Sequence, residues 1–247
     1  MNQPRTSAAV ADGSIAFPLL LAVLAPMAVV VSLLSLHSVW WAFATYQVGI
    51  CLVVPGVESR RARRSWREHA ELLGLIQAPG TDRPGRMIPV AISLGLATAA
   101  ITVGFLIATR ETFLSAGRLE EAVAGWGVGP DQILPMLVFM ALINSPAEEL
   151  FWRGYLPGRI QLARPGSRPP ALLTIVLPAI LYASYHAATL NYLVGKFSGV
   201  VVMTGGILAG GVIWGWLRLR TGSVWPPLLS HSGAVIGYLA VYLWLTG

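Results

Sequence analysis

The chain has 247 residues, of which 55% are hydrophobic and 11% charged; soluble domains carry about 25% charged residues, so this composition excludes an ordinary soluble enzyme. The net charge of +6 is no nucleic-acid signature, because the arginines gather between apolar runs and no aromatic-interleaved basic face accompanies them. Cys51 stands alone, which excludes a disulfide framework and a thiolate metal cluster and leaves it a small packing residue.

The N-terminus carries Arg5 and Asp12 and has no small-residue cleavage site after a short apolar core. The first apolar run therefore reads as a retained span and not a signal peptide. Apolar runs follow at 15–36, 38–57, 87–109, 132–147, 171–195, 198–217 and 223–246, the fourth continuing into a Glu-Glu-Arg segment. A hydrocarbon core takes about 20 helical residues to cross. The runs are continuous, not alternating, so a β-barrel is excluded, and a spanning backbone that must satisfy its own hydrogen bonds is helical. The expectation is an all-α integral membrane protein, a bundle of about seven transmembrane helices with an intramembrane polar site, forming one domain over 1–247.

Charge between the spans sets an expected orientation. The 58–86 loop holds seven arginines, 159–170 three and 218–222 two, while 110–131 leans acidic and 191–197 has one lysine. The alternation predicts a cytoplasmic N-terminus and an exterior C-terminus, consistent with a plasma-membrane protein. Arg60, Arg61, Arg63, Arg64 and Arg67 also suit anionic headgroups, so membrane lipids are expected partners and nucleic acid is not. His37 and His69 fall in a turn and in this basic loop and read as solvated. Gly206/Gly210 and Gly211/Gly215 are small-xxx-small pairs, expected to pack the sixth span inside the bundle and to hold the fifth and seventh at fixed separation.

Glu148 and Glu149 lie side by side in the fourth apolar region, where a carboxylate costs about 3 kcal/mol at a helix centre. Consecutive helical residues point about 100° apart, so the two acids do different jobs. Glu149 and Arg153 are spaced i, i+4 and form an expected ion pair, leaving Glu148 without that partner. His186 lies deep in the fifth run, and His231 about one turn into the seventh, after Pro226 and Pro227. One such histidine alone is as readily a packed core residue as a functional one; two with two glutamates and an arginine mark a functional site, expected to form one water-accessible cavity. Tyr182 shares the face of His186 and reads as structural support, and Asn144 and Asn191 as helix caps.

A glutamate shielded from water, beside a neutral imidazole, can take a proton from water and direct hydroxide at a carbonyl, with a second imidazole donating to the oxyanion. Peptide-bond hydrolysis fits, and no cofactor is needed. A zinc site from Glu148, His186 and His231 is chemically possible but lacks a His-Glu-x-x-His pattern. A proton-coupled transporter could use the same groups, but no inverted repeat is evident and the polar residues fall in one half.

Glu148-Glu149-x-x-x-Arg153, the Tyr182-x-x-x-His186 step and the Trp214 to His231 stretch, ending Trp-Pro-Pro-Leu-Leu-Ser-His, resemble the CAAX protease and bacteriocin-processing (CPBP/ABI) family, which includes the type II CAAX prenyl endopeptidases. The resemblance covers 132–240 in the core 132–247; spans one to three, 1–131, carry no such signal. It implies an intramembrane glutamate-dependent endopeptidase acting on a membrane-associated or prenylated-type substrate, with a non-proteolytic binding, immunity or scaffold protein of the same fold as the alternative. By motif position Glu148 and His186 would activate water, Glu149 and Arg153 would orient the site, and His231 would hold the oxyanion. Two positions depart: the second motif usually begins with Phe where this chain has Tyr182, and the last is usually His-x-x-x-Asn/Asp where it reads His231-Ser-Gly-Ala-Val235. Ser232 and Asn191 are the polar residues considered as substitutes.

Overall fold

Apolar length decides the architecture. In the computed structural model, which describes residues 14–76, 84–164 and 170–246, seven helical segments are long and apolar enough to cross a membrane: Ala16–Ser35, Val39–Arg61, Ile88–Phe113, Pro130–Leu162, Leu172–Val194, Phe197–Thr221 and Trp225–Thr246. Every element among the described residues is helical, and the protein is an all-α integral membrane protein as its composition predicts. Outward-facing Leu96 and Ile101, 69% and 70% exposed, belong to the broad apolar surface that lipid covers. Arg5 and Asp12, named for the retained first span, and Arg83 and Arg168, on which part of the orientation argument rests, lie outside the described residues.

Prolines shape the spans. Proline at position i removes an amide and crowds the carbonyl of residue i−4. A π-helical turn, with its i→i+5 bonding, lets that carbonyl skip the missing donor. Four such stretches end two residues before a proline: Phe43–Val53 before Pro55, Met140–Asn144 before Pro146, Leu150–Tyr155 before Pro157 and Leu172–Val176 before Pro178. The fourth span thus runs on through both glutamates and Arg153 for 33 residues, with wide turns on either side of the Glu-Glu pair.

Glycines set the closest approaches. A Cβ at Gly233 would collide with the carbonyl of Gly95, and one at Gly237 would meet that of Ala99 at 2.9 Å, so the seventh span lies chiefly along the third. This differs from the sequence expectation, in which the sixth span sets its position. Gly211 and Gly215 do pack inside the bundle, against Ala179 and Ile175 of the fifth span, whereas Gly205 and Gly206 face open space.

The helix Trp66–Leu73 follows the second span and starts with a capping box between Ser65 and Glu68. The Ser65 amide and hydroxyl hold the Glu68 carboxyl below its usual range. This helix docks where the Gly154 and Gly158 backbones leave room for Leu72 and Leu73. Beyond it Gly74, at φ 74°, turns the chain so that Val224 N–H reaches the Gly74 carbonyl at 2.9 Å. His69 is half-buried and bonded to Ser59 Oγ at 2.6 Å, not solvated as expected, and burial pushes its pKa down. His37 is exposed, as expected, in the left-handed turn between spans one and two.

Candidate active site

The wide turn after the Glu-Glu pair carries Arg153. Its guanidinium meets Glu149 Oε1 at 2.7 Å within the fourth span, the ion pair that the i, i+4 spacing predicts. It also donates to the Gly211 carbonyl at 3.4 Å and lies over the rings of Tyr182 and Trp214, at 4.8 and 5.1 Å from their centroids. Gly211 has to be small here, since a Cβ would sit 3.3 Å from the guanidinium and 3.1 Å from Ala179. Pro157 withholds the amide that would bond the Arg153 carbonyl in an α-helix, and Arg218 donates to that carbonyl at 2.9 Å.

His231 stands between the two acids. Its Nδ1 lies 3.0 Å from Glu149 Oε1 and its Nε2 3.7 Å from Glu148 Oε2. Trp214 stacks on the imidazole, with centroids 4.6 Å apart and planes at 23°, and is itself held by donating to Ser230 Oγ at 3.0 Å. A carboxylate only accepts, so Nδ1–H donates to Glu149, and in the tautomer with its proton on Nδ1 the other nitrogen, Nε2, is an acceptor. The Tyr182 hydroxyl meets that nitrogen at 3.0 Å.

Glu148 points the other way, as helix geometry predicts, but is not without a partner. Tyr185 donates its hydroxyl to Glu148 Oε1 at 2.9 Å; Tyr46, from the second span, bonds Tyr185 at 3.0 Å; and Trp152 donates to Tyr46 at 2.8 Å. An indole N–H is donor only, so the chain of donors runs Trp152 to Tyr46 to Tyr185 to Glu148. Glu148 Oε2 is buried and accepts no hydrogen bond. Beside it Gln47 donates to Asn144 at 2.7 Å; Asn144 is buried and forms no helix cap, contrary to expectation, while Asn191 is exposed.

His186 is not joined to either glutamate by a hydrogen bond or ion pair among the described residues. Its Nδ1–H donates to the Tyr182 carbonyl at 2.8 Å, which leaves Nε2 as the accepting nitrogen, and its ring packs against Tyr182 and Tyr185 at 4.5 and 4.2 Å. It is half-buried, whereas Glu148, Glu149, Arg153 and His231 are at most 4% exposed. The site is therefore closed in this conformation, not the water-accessible cavity expected. Nor does any group of three His, Cys, Asp or Glu among the described residues have an arrangement suited to a metal ion. Tyr46, Tyr185 and Gln47 escaped sequence reasoning. Tyr185 adjoins His186 and was open to notice, but Tyr46 and Gln47 sit in an ordinary apolar run with no local signal.

Fold and site together define an integral membrane protein with a buried carboxylate–imidazole–guanidinium centre. Residues 130–236 match the family described as Type II CAAX prenyl endopeptidase Rce1-like, and this segment is a domain of that family. Comparison with curated proteins and with solved structures gives no match.

Proposed function

We propose that the protein is a membrane endopeptidase in which Glu148 is the general base. The observation that carries this reading is the buried, unpartnered Oε2 of Glu148, 3.7 Å from His231 Nε2. A buried carboxylate oxygen without a donor is costly and suits a water that it can deprotonate. Water gives its proton to Glu148 as its oxygen bonds the scissile carbonyl carbon. The carbonyl electrons move onto oxygen, and the oxyanion is held beside His231. On collapse the C–N bond breaks and the amine leaves with the proton from Glu148. Glu149 and Arg153 fix the His231 ring, and His186, the half-buried member, offers Nε2 to incoming water or substrate N–H.

The substrate class is a peptide of a membrane-associated or prenylated protein, reached from the cytoplasmic side of the plasma membrane, with the N-terminus cytoplasmic. The test is cleavage of internally quenched peptides, with and without a farnesylated cysteine, presented in phosphatidylglycerol–phosphatidylcholine vesicles. Turnover in the wild type that disappears in Glu148→Gln supports the reading; equal rates in both reject it. One observation favours a second reading: Val235, one turn beyond His231, offers no donor. A non-proteolytic binding, immunity or scaffold protein of the same fold would bind such peptides without cleaving any.

A further inference from the structure

A developing oxyanion needs donors aimed at it, and the aromatic and guanidinium donors packed about the two glutamates and His231 are already engaged. Tyr185 serves Glu148, Arg153 serves Glu149 and the Gly211 carbonyl, Trp214 serves Ser230, and Trp152 serves Tyr46. Val235 is 2% exposed and carries no polar atom. The Tyr182 hydroxyl differs, because its acceptor is His231 Nε2, the nitrogen facing Glu148 Oε2 across 3.7 Å. His231 does not need that bond for its orientation, which the Nδ1 bond to Glu149 and the stacked Trp214 already fix.

From this geometry we propose that the Tyr182 hydroxyl is the oxyanion donor of the site, supplying what position 235 does not. The assignment rests on the endopeptidase reading and makes Tyr182 a catalytic residue, not the structural support its sequence position suggests. In the resting site the O–H is parked on His231 Nε2. When water adds to the carbonyl and its proton passes to Glu148, the O–H turns about its C–O bond to the new oxyanion. It returns to Nε2 when the amine leaves, and no proton is lost from tyrosine in the cycle. Tyr182 also carries the backbone carbonyl that orients His186 at 2.8 Å, so one residue touches both imidazoles.

The test compares wild type, Tyr182→Phe, Val235→Asn and the double variant on the best-cleaved quenched peptide in the same vesicles. Tyr182→Phe keeps the ring and is expected to lower kcat about 100-fold with KM unchanged, the range seen when one such donor is removed. Adding Val235→Asn is expected to restore at least about 10-fold of that loss by placing an amide donor one turn from His231. A merely structural hydroxyl gives no such rescue. As a variant that preserves the fold, 3-fluorotyrosine at 182 keeps the O–H as a donor, and is expected to hold kcat within a few-fold of wild type where Tyr182→Phe does not. Unchanged kcat in Tyr182→Phe, or a loss with 3-fluorotyrosine as large as with Tyr182→Phe, overturns the assignment while a Glu148-dependent wild type keeps the endopeptidase reading. A wild type without turnover overturns both.

Discussion

Glu149 and Arg153 pair at 2.7 Å with both side chains closed to solvent, and the same Glu149 oxygen holds His231 Nδ1 at 3.0 Å. Removing one partner of such a pair strands a buried charge and costs about 3–5 kcal/mol. Arg153→Ala is therefore expected to lower the thermal unfolding midpoint in detergent strongly, while the isosteric Glu148→Gln keeps the fold and loses chemistry. An Arg153→Ala protein as stable as wild type beside an unfolded Glu148→Gln would reverse the assignment of the two carboxylates.

Tyr185 is the only donor to Glu148 Oε1 among the described residues, and Tyr46 stands behind it. Tyr185→Phe leaves that oxygen bare, at a cost of about 1–3 kcal/mol for a buried acceptor without its donor. Turnover is expected to fall about 10-fold or more with little change in KM, because the group lost positions the base and does not touch substrate. Tyr46→Phe, one step removed, is expected to fall less. Equal losses in the two variants, or a loss confined to KM, would argue against a tyrosine relay.

The spans were legible because a helix in lipid announces itself by length and apolarity, and Glu149–Arg153 because i, i+4 spacing is local. The partner of Glu148 was not, since Tyr185 reaches it across 37 residues and Tyr46 reaches Tyr185 across 139. Periodicity carries no information about such contacts. The wide turns were signalled by Pro55, Pro146, Pro157 and Pro178, but their consequence emerges only when a third group, such as Arg218 at the Arg153 carbonyl, meets the freed acceptor. Which imidazole meets Glu148 is equally non-local: Glu148 approaches His231, while His186 is turned to a carbonyl of its own helix.

The segment before and within the helix Trp66–Leu73 presents exposed Arg60, Arg61, Arg63 and Arg67 beside Trp66, which is 75% exposed. A tryptophan among arginines at the end of a span suits the headgroup layer, and each arginine near an anionic surface contributes about 1 kcal/mol. Replacing Arg60, Arg61 and Arg63 by glutamine is expected to abolish a preference for phosphatidylglycerol over phosphatidylcholine, read by native mass spectrometry of co-purified lipid. The span-end pair Arg159–Glu58, at 2.9 Å, is untouched by these changes, so the fold is expected to survive. Undiminished retention of phosphatidylglycerol would place the anionic-lipid contact elsewhere.

Val235 couples activity to stability. Its side chain is 2% exposed and belongs to the same apolar cluster as Tyr182, Tyr185 and Trp214. Asparagine at this position brings an amide to the face of His231, but in the closed resting site that amide has to find partners among apolar neighbours. A buried polar group left unpaired costs about 1–3 kcal/mol, so Val235→Asn is expected to lower the unfolding midpoint while raising kcat in an otherwise wild-type background. The gain is expected to stay below about 10-fold, smaller than in the Tyr182→Phe background, because one donor is already in place and a second adds less than the first. Unfolding scans and quenched-peptide kinetics on the same preparation check both halves. A drop in kcat with no loss of stability would mean that the amide displaces the Tyr182 hydroxyl from the oxyanion position instead of joining it.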